Sequence, residues 1–353
     1  MTLEDLGYQD WFRAGREEAG ADEERLARIV AIDRGRCTIA SPLGTVPAEV
    51  SGRLLYCAAT PEDLPCVGDW VVVEHVDRNE HAVVHRVLPR KTVLRRRAAG
   101  GRTAYQAIAA NIDVAYILQS CDVDYSLNRL DRYVVMAADG GITPRVLLTK
   151  SDLVSPSHVE RLIAEVRAEH RIEAAAISSA TGAGYERLAA SLEAGRTYCL
   201  LGSSGVGKST LLNALLETDR FSVGSVREKS GKGRHTTTRR ELVPLDNGAL
   251  FVDTPGMREL GMMAFESGLE EHYADVVAGA EECRYADCTH TVEDGCAVLA
   301  KVRSGELSAR KYESYLKLRK ESEHFGMSYQ EQRKKDKAFG KMIKNYKKSQ
   351  GKG

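Results

Sequence analysis

The chain is 353 residues long and carries 50 Lys and Arg against 50 Asp and Glu, a formal net charge of zero. That length predicts two or three domains, and 43% hydrophobic residues are enough for real cores. No apolar run approaches the roughly 20 residues of a membrane span, and the acidic start lacks the basic-then-apolar pattern of a secretion signal, so a cytoplasmic protein that avoids membranes is expected.

Residues 1–25 read as an acidic extension, since the first 24 hold eight acids against two arginines. Residues 26–97 read as a small all-β unit. The short β-branched runs ARIVAI, CTIA, WVVVEHV and AVVHRVL are separated by turn residues such as DRGR, SPLG and PCVGD. Short strands at this spacing predict a β-barrel; an OB-fold is preferred, with an SH3-like barrel as the rival. Residues 89–102 then carry six basic side chains and no acid, a pattern that suits a polyanion.

Between 104 and 262 the grammar changes. The apolar runs VAYILQS, PRVLLTK, AAAISSA, TYCLLG and ALFVDT alternate with helical stretches such as SHVERLIAEVRAEH. This predicts a mostly parallel sheet covered by helices on both faces. The chemistry sits where strands end. RVLLTKSD closes on Thr149-Lys150-Ser151-Asp152, which fits the Asn-Lys-x-Asp guanine loop except for Thr in place of Asn. There the Asp152 carboxylate would accept both N–H groups of guanine's Watson–Crick edge, and the stem of Lys150 would cover the ring. The next strand ends in ISSATG, where Ser179 and Ala180 match a second base loop that reads guanine O6 through backbone N–H.

TYCLLGSSGVGKSTLLNALL follows, an apolar strand entering a Gly-rich loop and leaving as a helix. Gly202-Ser203-Ser204-Gly205-Val206-Gly207-Lys208-Ser209-Thr210 is a P-loop. Its backbone N–H groups would cradle phosphate, Lys208 would reach the β- and γ-phosphates, and Ser209 would hold Mg²⁺. REKSGKGRHTTTRR suits a switch loop, in which one of Thr236, Thr237 and Thr238 would reach Mg²⁺, Thr237 being chosen by the spacing of such loops. ALFVDTPG places Asp253 at a strand end, as a carboxylate for the Mg²⁺ shell, and offers the Gly256 N–H to the γ-phosphate. Met257 stands where Ras-like enzymes carry the glutamine that orients water, so His235 in the switch loop is the candidate catalytic group, with a group supplied by a partner as the alternative. The order of parts is base loop, second base loop, P-loop, switch, DTPG. Ras-like enzymes begin with the P-loop, so the arrangement predicts a circular permutation.

Residues 264–330 read as helical and polar around Cys283-x4-Cys288-x-His290-x5-Cys296. Three thiolates and one imidazole at this spacing predict one closed, tetrahedral, structural zinc site. The other five cysteines read as small buried hydrophobes. Residues 331–353 carry nine Lys or Arg against two acids and are expected to form a disordered basic tail.

VGDWVVVE, LPRKTVLRR, ANIDVAYIL, TKSD, GSSGVGKSTLLNAL, GKGRHTTTRR, DTPGMREL and the Cys/His cluster occur here in one order. Over residues 28–325 the sequence resembles the ribosome small-subunit-dependent GTPase A family of bacteria. The resemblance implies an OB-fold, a permuted GTPase domain and a C-terminal zinc domain. It also implies a role in late 30S maturation, with hydrolysis stimulated by the small subunit and His235 in the catalytic place. GTP or GDP, Mg²⁺, the 30S subunit and its 16S rRNA would be the partners of a monomer. The rivals are a small-molecule kinase, a nucleotide-holding RNA scaffold and a permuted GTPase of the large subunit.

Overall fold

The computed structural model describes residues 1–33, 35–97, 105–122, 124–217, 240–253 and 267–326. The acidic first 25 residues, which include helix α1 (Arg13–Glu18), fold back onto the strands that follow. Leu3, Leu6 and Phe12 are buried with Trp70, and Tyr8 meets that indole edge-on with ring centroids 5.0 Å apart. The charge of this segment therefore coats an apolar underside.

Strands β1 (Leu26–Asp33), β2 (Arg36–Ser41), β3 (Gly44–Val50), β4 (Trp70–Val76) and β5 (His81–Val87), with helix α2 (Gly52–Cys57) between β3 and β4, close on themselves in the order β1-β2-β3-β5-β4-β1. The β3–β5 pair is parallel and the others are antiparallel. Alternation builds the closure. Ala27 and Ile29 of β1 join Ile39, Val71, Val73 and Val84 in one apolar cluster, while Leu26 packs with the N-terminal segment. Strand β3 escaped the sequence reading because it buries a single residue, Ala48, and contains Pro47.

The antiparallel pair β6 (Val93–Arg97) and β7 (Tyr105–Ala110) leads to a second set of strands. In chain order these are β8 (Val114–Ser120), α3 (Leu127–Asp139), β9 (Thr143–Thr149), α4 (Pro156–His170), β10 (Ala174–Ala176), α5 (Tyr185–Ala190), β11 (Thr197–Gly202), α6 (Lys208–Leu215), β12 (Arg240–Pro244) and β13 (Leu250–Asp253). Their order in the sheet is β10-β9-β8-β11-β13-β12, and only β12 runs antiparallel to its neighbour β13. Strands β8 and β11 are buried along their whole length, as parallel strands covered on both faces must be. Helices α3 and α4 supply one apolar layer, and α5 and α6 the other. Strand β12 also pairs with β1, through Ala31↔Glu241 and Ile32↔Arg240. Barrel and parallel sheet thus share one eleven-stranded sheet.

Helices α7 (Gly268–His272), α8 (Ala274–Glu281), α9 (Ala297–Ser304) and α10 (Ala309–Gly326) pack on the α3 side. Leu269, Tyr273, Val276, Val298 and Leu318 share a core with Leu130 and Val134 of α3. Gly268 makes the closest approach. A Cβ there would lie 2.3 Å from the Val135 carbonyl oxygen, so only glycine lets α7 press against the α3 backbone. Among the described residues, no helix is long and apolar enough to cross a membrane.

Two expectations change. Part of the basic stretch 89–102 is committed internally. Arg90 grips the buried Asp69 carboxylate with Nε and Nη2 at 2.7 and 2.8 Å, and Arg95 pairs with Asp139 at 3.1 Å. Arg102 lies outside the described residues. Cys57 is exposed at the end of α2, whereas Cys37, Cys66, Cys121 and Cys199 are buried as expected.

Candidate functional site

The nucleotide motifs gather at the carboxyl ends of neighbouring parallel strands, the usual ligand edge of an open α/β sheet. β11 ends at Gly202 beside Leu118 of β8, and β9 reaches Thr149 beside Ser120. Gly202 has φ 144°, and a Cβ there would meet the Leu118 carbonyl oxygen at 2.7 Å, so the loop can leave the strand only through glycine. The loop then delivers Lys208, Ser209 and Thr210 as the first turn of α6, with Gly207 as its N-cap at φ 107°. Lys208 folds back, donating from Nζ to the carbonyl oxygens of Gly202 and Ser203 at 2.6 Å each. Ser203, Ser204 and Gly205 form the turn between strand and helix. Asp253 ends β13, next to β11 on the side away from β8.

The base loop is tied directly to this loop. Thr149 is 5% exposed, and its hydroxyl donates to the Val206 carbonyl oxygen at 2.8 Å, across 57 positions of sequence. Lys150 follows in the left-handed region at φ 55° and reaches Asp122 Oδ2 at 3.2 Å. The Asp122 carboxyl lies below its ordinary range, chiefly because the Asp124 N–H donates to it, with Ser120 and Lys150 assisting. Ser151 opens a short 3-10 turn that carries Asp152. Asp152 Oδ1 accepts a hydrogen bond from Ser178 Oγ, and the Thr181 N–H donates to that same hydroxyl. Ser179 and Ala180 stand exposed beside it. Ser178 and Asp122 were missed in the sequence. Ser178 is one residue ahead of the pair singled out, and Asp122 closes no recognisable motif. His235, Thr237 and Gly256 lie outside the described residues.

The Cys/His cluster converges as its spacing predicts. Cys283 Sγ and Cys296 Sγ are each 3.6 Å from His290 Nδ1 and 3.9 Å from one another. The four ligand atoms, Cys288 Sγ included, all lie within 4.8 Å of each other. Burial pushes the Cys283 thiol up. The Val298 and Ala297 N–H groups at the start of α9, with the Cys296 and Cys288 thiols, more than offset it and leave the thiol below its ordinary value. Left-handed backbone at His290, φ 61°, turns the imidazole inward.

A parallel sheet with a P-loop after one strand and a base loop after an earlier one defines a P-loop GTPase whose motifs run in permuted order. The model of the RsgA GTPase family matches residues 87–263. A protein of Opitutus terrae named small ribosomal subunit biogenesis GTPase RsgA is 42% identical, across 91% of this chain and 90% of its own. A protein of the same name from Streptomyces avermitilis is 40% identical across 87% and 82%. The crystal structure of YjeQ from Thermotoga maritima superposes with a TM-score of 0.62 at 25% identity, covering 84% of this chain and 98% of that one. YloQ, described as a circularly permuted GTPase, matches in fold with a TM-score of 0.60 at 21% identity, across 86% of this chain and 96% of its own. The chain belongs to the RsgA GTPase family, and it is a GTPase.

Proposed function

We propose that the protein hydrolyses GTP as a late maturation factor of the small ribosomal subunit, which stimulates the reaction and is bound or released according to nucleotide state. The relatives' printed names support the subunit. The Thr149–Val206 hydrogen bond supports the nucleotide reading most directly, because it ties the loop read as the base site to the loop read as the phosphate site.

In this reading the Asp152 carboxylate, oriented by Ser178, takes the N–H groups of guanine. Lys150, steadied by Asp122, lies over the ring, and Ser179 and Ala180 offer N–H to O6. Residues 202–210 hold the phosphates, with Lys208 exchanging the Gly202 and Ser203 carbonyls for phosphate oxygens. Ser209, Thr237 and Asp253 present an all-oxygen set suited to Mg²⁺, which when bound offsets charge on the phosphates. Gly256 donates to the γ-phosphate, and His235 positions the attacking water.

The barrel over 26–97 is read as an OB-fold, from its strand order, and as an RNA-facing surface. The basic tail, 331–353, is a second. The unit over 264–330 is stapled by zinc on Cys283, Cys288, His290 and Cys296, whose separations suit tetrahedral bonds of about 2.0–2.3 Å. The deciding experiment is the GTPase rate across titrations of purified 30S, 50S and 70S particles. Stimulation by 30S alone is expected; equal stimulation by 50S would refute the assignment. Asp152→Asn should shift preference from guanine to xanthine nucleotides, and His235→Ala should abolish the stimulated rate.

A further inference from the structure

A second set of ligand-type side chains lies away from both sites, where α7 and α10 meet α3 and α4. Asp131 comes from α3, His170 from the last position of α4 and His272 from the last of α7. Their side chains are 1%, 0% and 6% exposed. His170 Nδ1 is 3.4 Å from His272 Nε2, and these nitrogens stand 3.5 and 3.7 Å from Asp131 Oδ1, outside hydrogen-bond geometry. The three atoms mark a near-equilateral triangle with a mean side of about 3.5 Å. Its centre is 3.5/√3, about 2.0 Å, from each corner, the length of a zinc–nitrogen or zinc–oxygen bond.

We propose that Asp131, His170 and His272 bind a divalent metal ion of the zinc class, clipping the C-terminal helices to the nucleotide-binding unit. Asp131 Oδ1, one corner of that triangle, is buried without a hydrogen-bond partner, a costly arrangement unless something else meets it. Its other oxygen is held as a monodentate ligand's would be. Arg310 Nη1 donates to Oδ2 at 2.9 Å, Ser314 Oγ donates to it at 2.6 Å, and Tyr273 donates to Ser314 at 2.9 Å.

Local charge permits the cation. Arg310 is shared with Glu169, and Lys311 is paired with Asp275 at 2.6 Å. Asp131, Glu169 and Asp275 against Arg310 and Lys311 leave one net negative charge. His170 and His272 both line a cavity of about 430 Å³ with Glu271 and Lys311. Three protein ligands would leave one position of a tetrahedral ion for water. Two imidazoles and one carboxylate favour zinc, cobalt, nickel or iron over magnesium or calcium. The set differs in kind from the thiolate-rich Cys/His cluster, so the two are separable by spectroscopy.

The test uses the full chain, dialysed against a mild chelator that leaves the Cys/His zinc in place, then titrated with ZnCl₂ or CoCl₂. Wild type should take up a second equivalent by elemental analysis. Cobalt there should give a visible d–d band without the thiolate charge-transfer band, and zinc should raise the Tm. His272→Gln should keep the first equivalent, which certifies its fold, and bind the second at least 100-fold more weakly. A wild type that stays at one equivalent in saturating zinc, or a His272→Gln protein that fills the second site as well as wild type, overturns the proposal.

Discussion

Two buried polar hubs, one at each seam of the described residues, are built differently. At the seam between barrel and parallel sheet, Arg28 of β1 is 1% exposed. Its guanidinium donates to the carbonyl oxygens of Leu6, Gly68 and Asn111 and to the Thr197 hydroxyl, reaching the N-terminal segment, the barrel, the connection and β11 at once. Burial lowers its pKa to about 10, with Asp113 and Asp69 opposing, so it remains a cation at neutral pH. At the other seam, Asp131 faces His170, His272 and Arg310, and three buried atoms, Asp131 Oδ1, His170 Nε2 and Arg310 Nε, have no hydrogen-bond partner. The first hub is closed, with each bond ending on the chain itself. The second converges on a point that the chain does not fill. A closed hub is what rigid attachment needs, whereas an open one is what a ligand site leaves behind.

Removing the closed hub should cost most. Arg28→Ala strands the Leu6 and Asn111 carbonyl oxygens and the Thr197 hydroxyl, while the Gly68 carbonyl oxygen keeps the Asn111 Nδ2 donor, and should lower stability by on the order of 4 kcal/mol in denaturant unfolding. A loss under about 1 kcal/mol would mean that water replaces the guanidinium and that the seam is not closed. Arg310→Ala comes next. In metal-depleted protein it leaves the Asp131 carboxylate buried with Ser314 alone, and should cost about 3 kcal/mol. With zinc bound the cost should fall by about half, because the ion meets the same charge. Equal losses with and without zinc would remove the distinction between the two seams.

Much of this was legible in the sequence, for a physical reason. Strands buried on both faces, such as β8 and β11, are continuous apolar runs, and the P-loop glycines announce themselves because φ values such as 107° at Gly207 exclude other residues. The Cys/His cluster is local, so its spacing already describes its geometry. The seams were not legible. Arg28 finds partners at positions 6, 68, 111 and 197, and Asp131 faces side chains from positions 170, 272 and 310. No local pattern encodes such distances. Arg90 misled for the same reason, since a basic run looks solvated until Asp69 is seen beneath it. Strand β12 was hidden because it directly follows a switch-like basic stretch, and its pairing with β1 joins residues about 200 positions apart.

The smallest expected effects test the comparison most finely, by removing one hydroxyl from each hub. Thr197→Val deletes one of the two acceptors of Arg28 Nη2 and leaves a cationic N–H buried without a partner, which should cost about 2 kcal/mol. Tyr273→Phe deletes a donor instead. Ser314 keeps its own hydrogen on Asp131 Oδ2 and loses only an incoming bond at its oxygen, a vacancy that oxygen tolerates better than a buried N–H does. The ring stays buried, and Lys311 Nζ still sits 6.0 Å from its centroid, so packing and the cation–π contact are retained. About 0.5–1 kcal/mol is expected, measured by thermal unfolding of the two variants side by side. Because Ser314 orients Asp131, Tyr273→Phe should also weaken uptake of the second zinc equivalent by about tenfold, while Thr197→Val leaves it unchanged. If Thr197→Val proves the milder of the two, or if both leave zinc uptake alone, one seam is not closed and the other is not open.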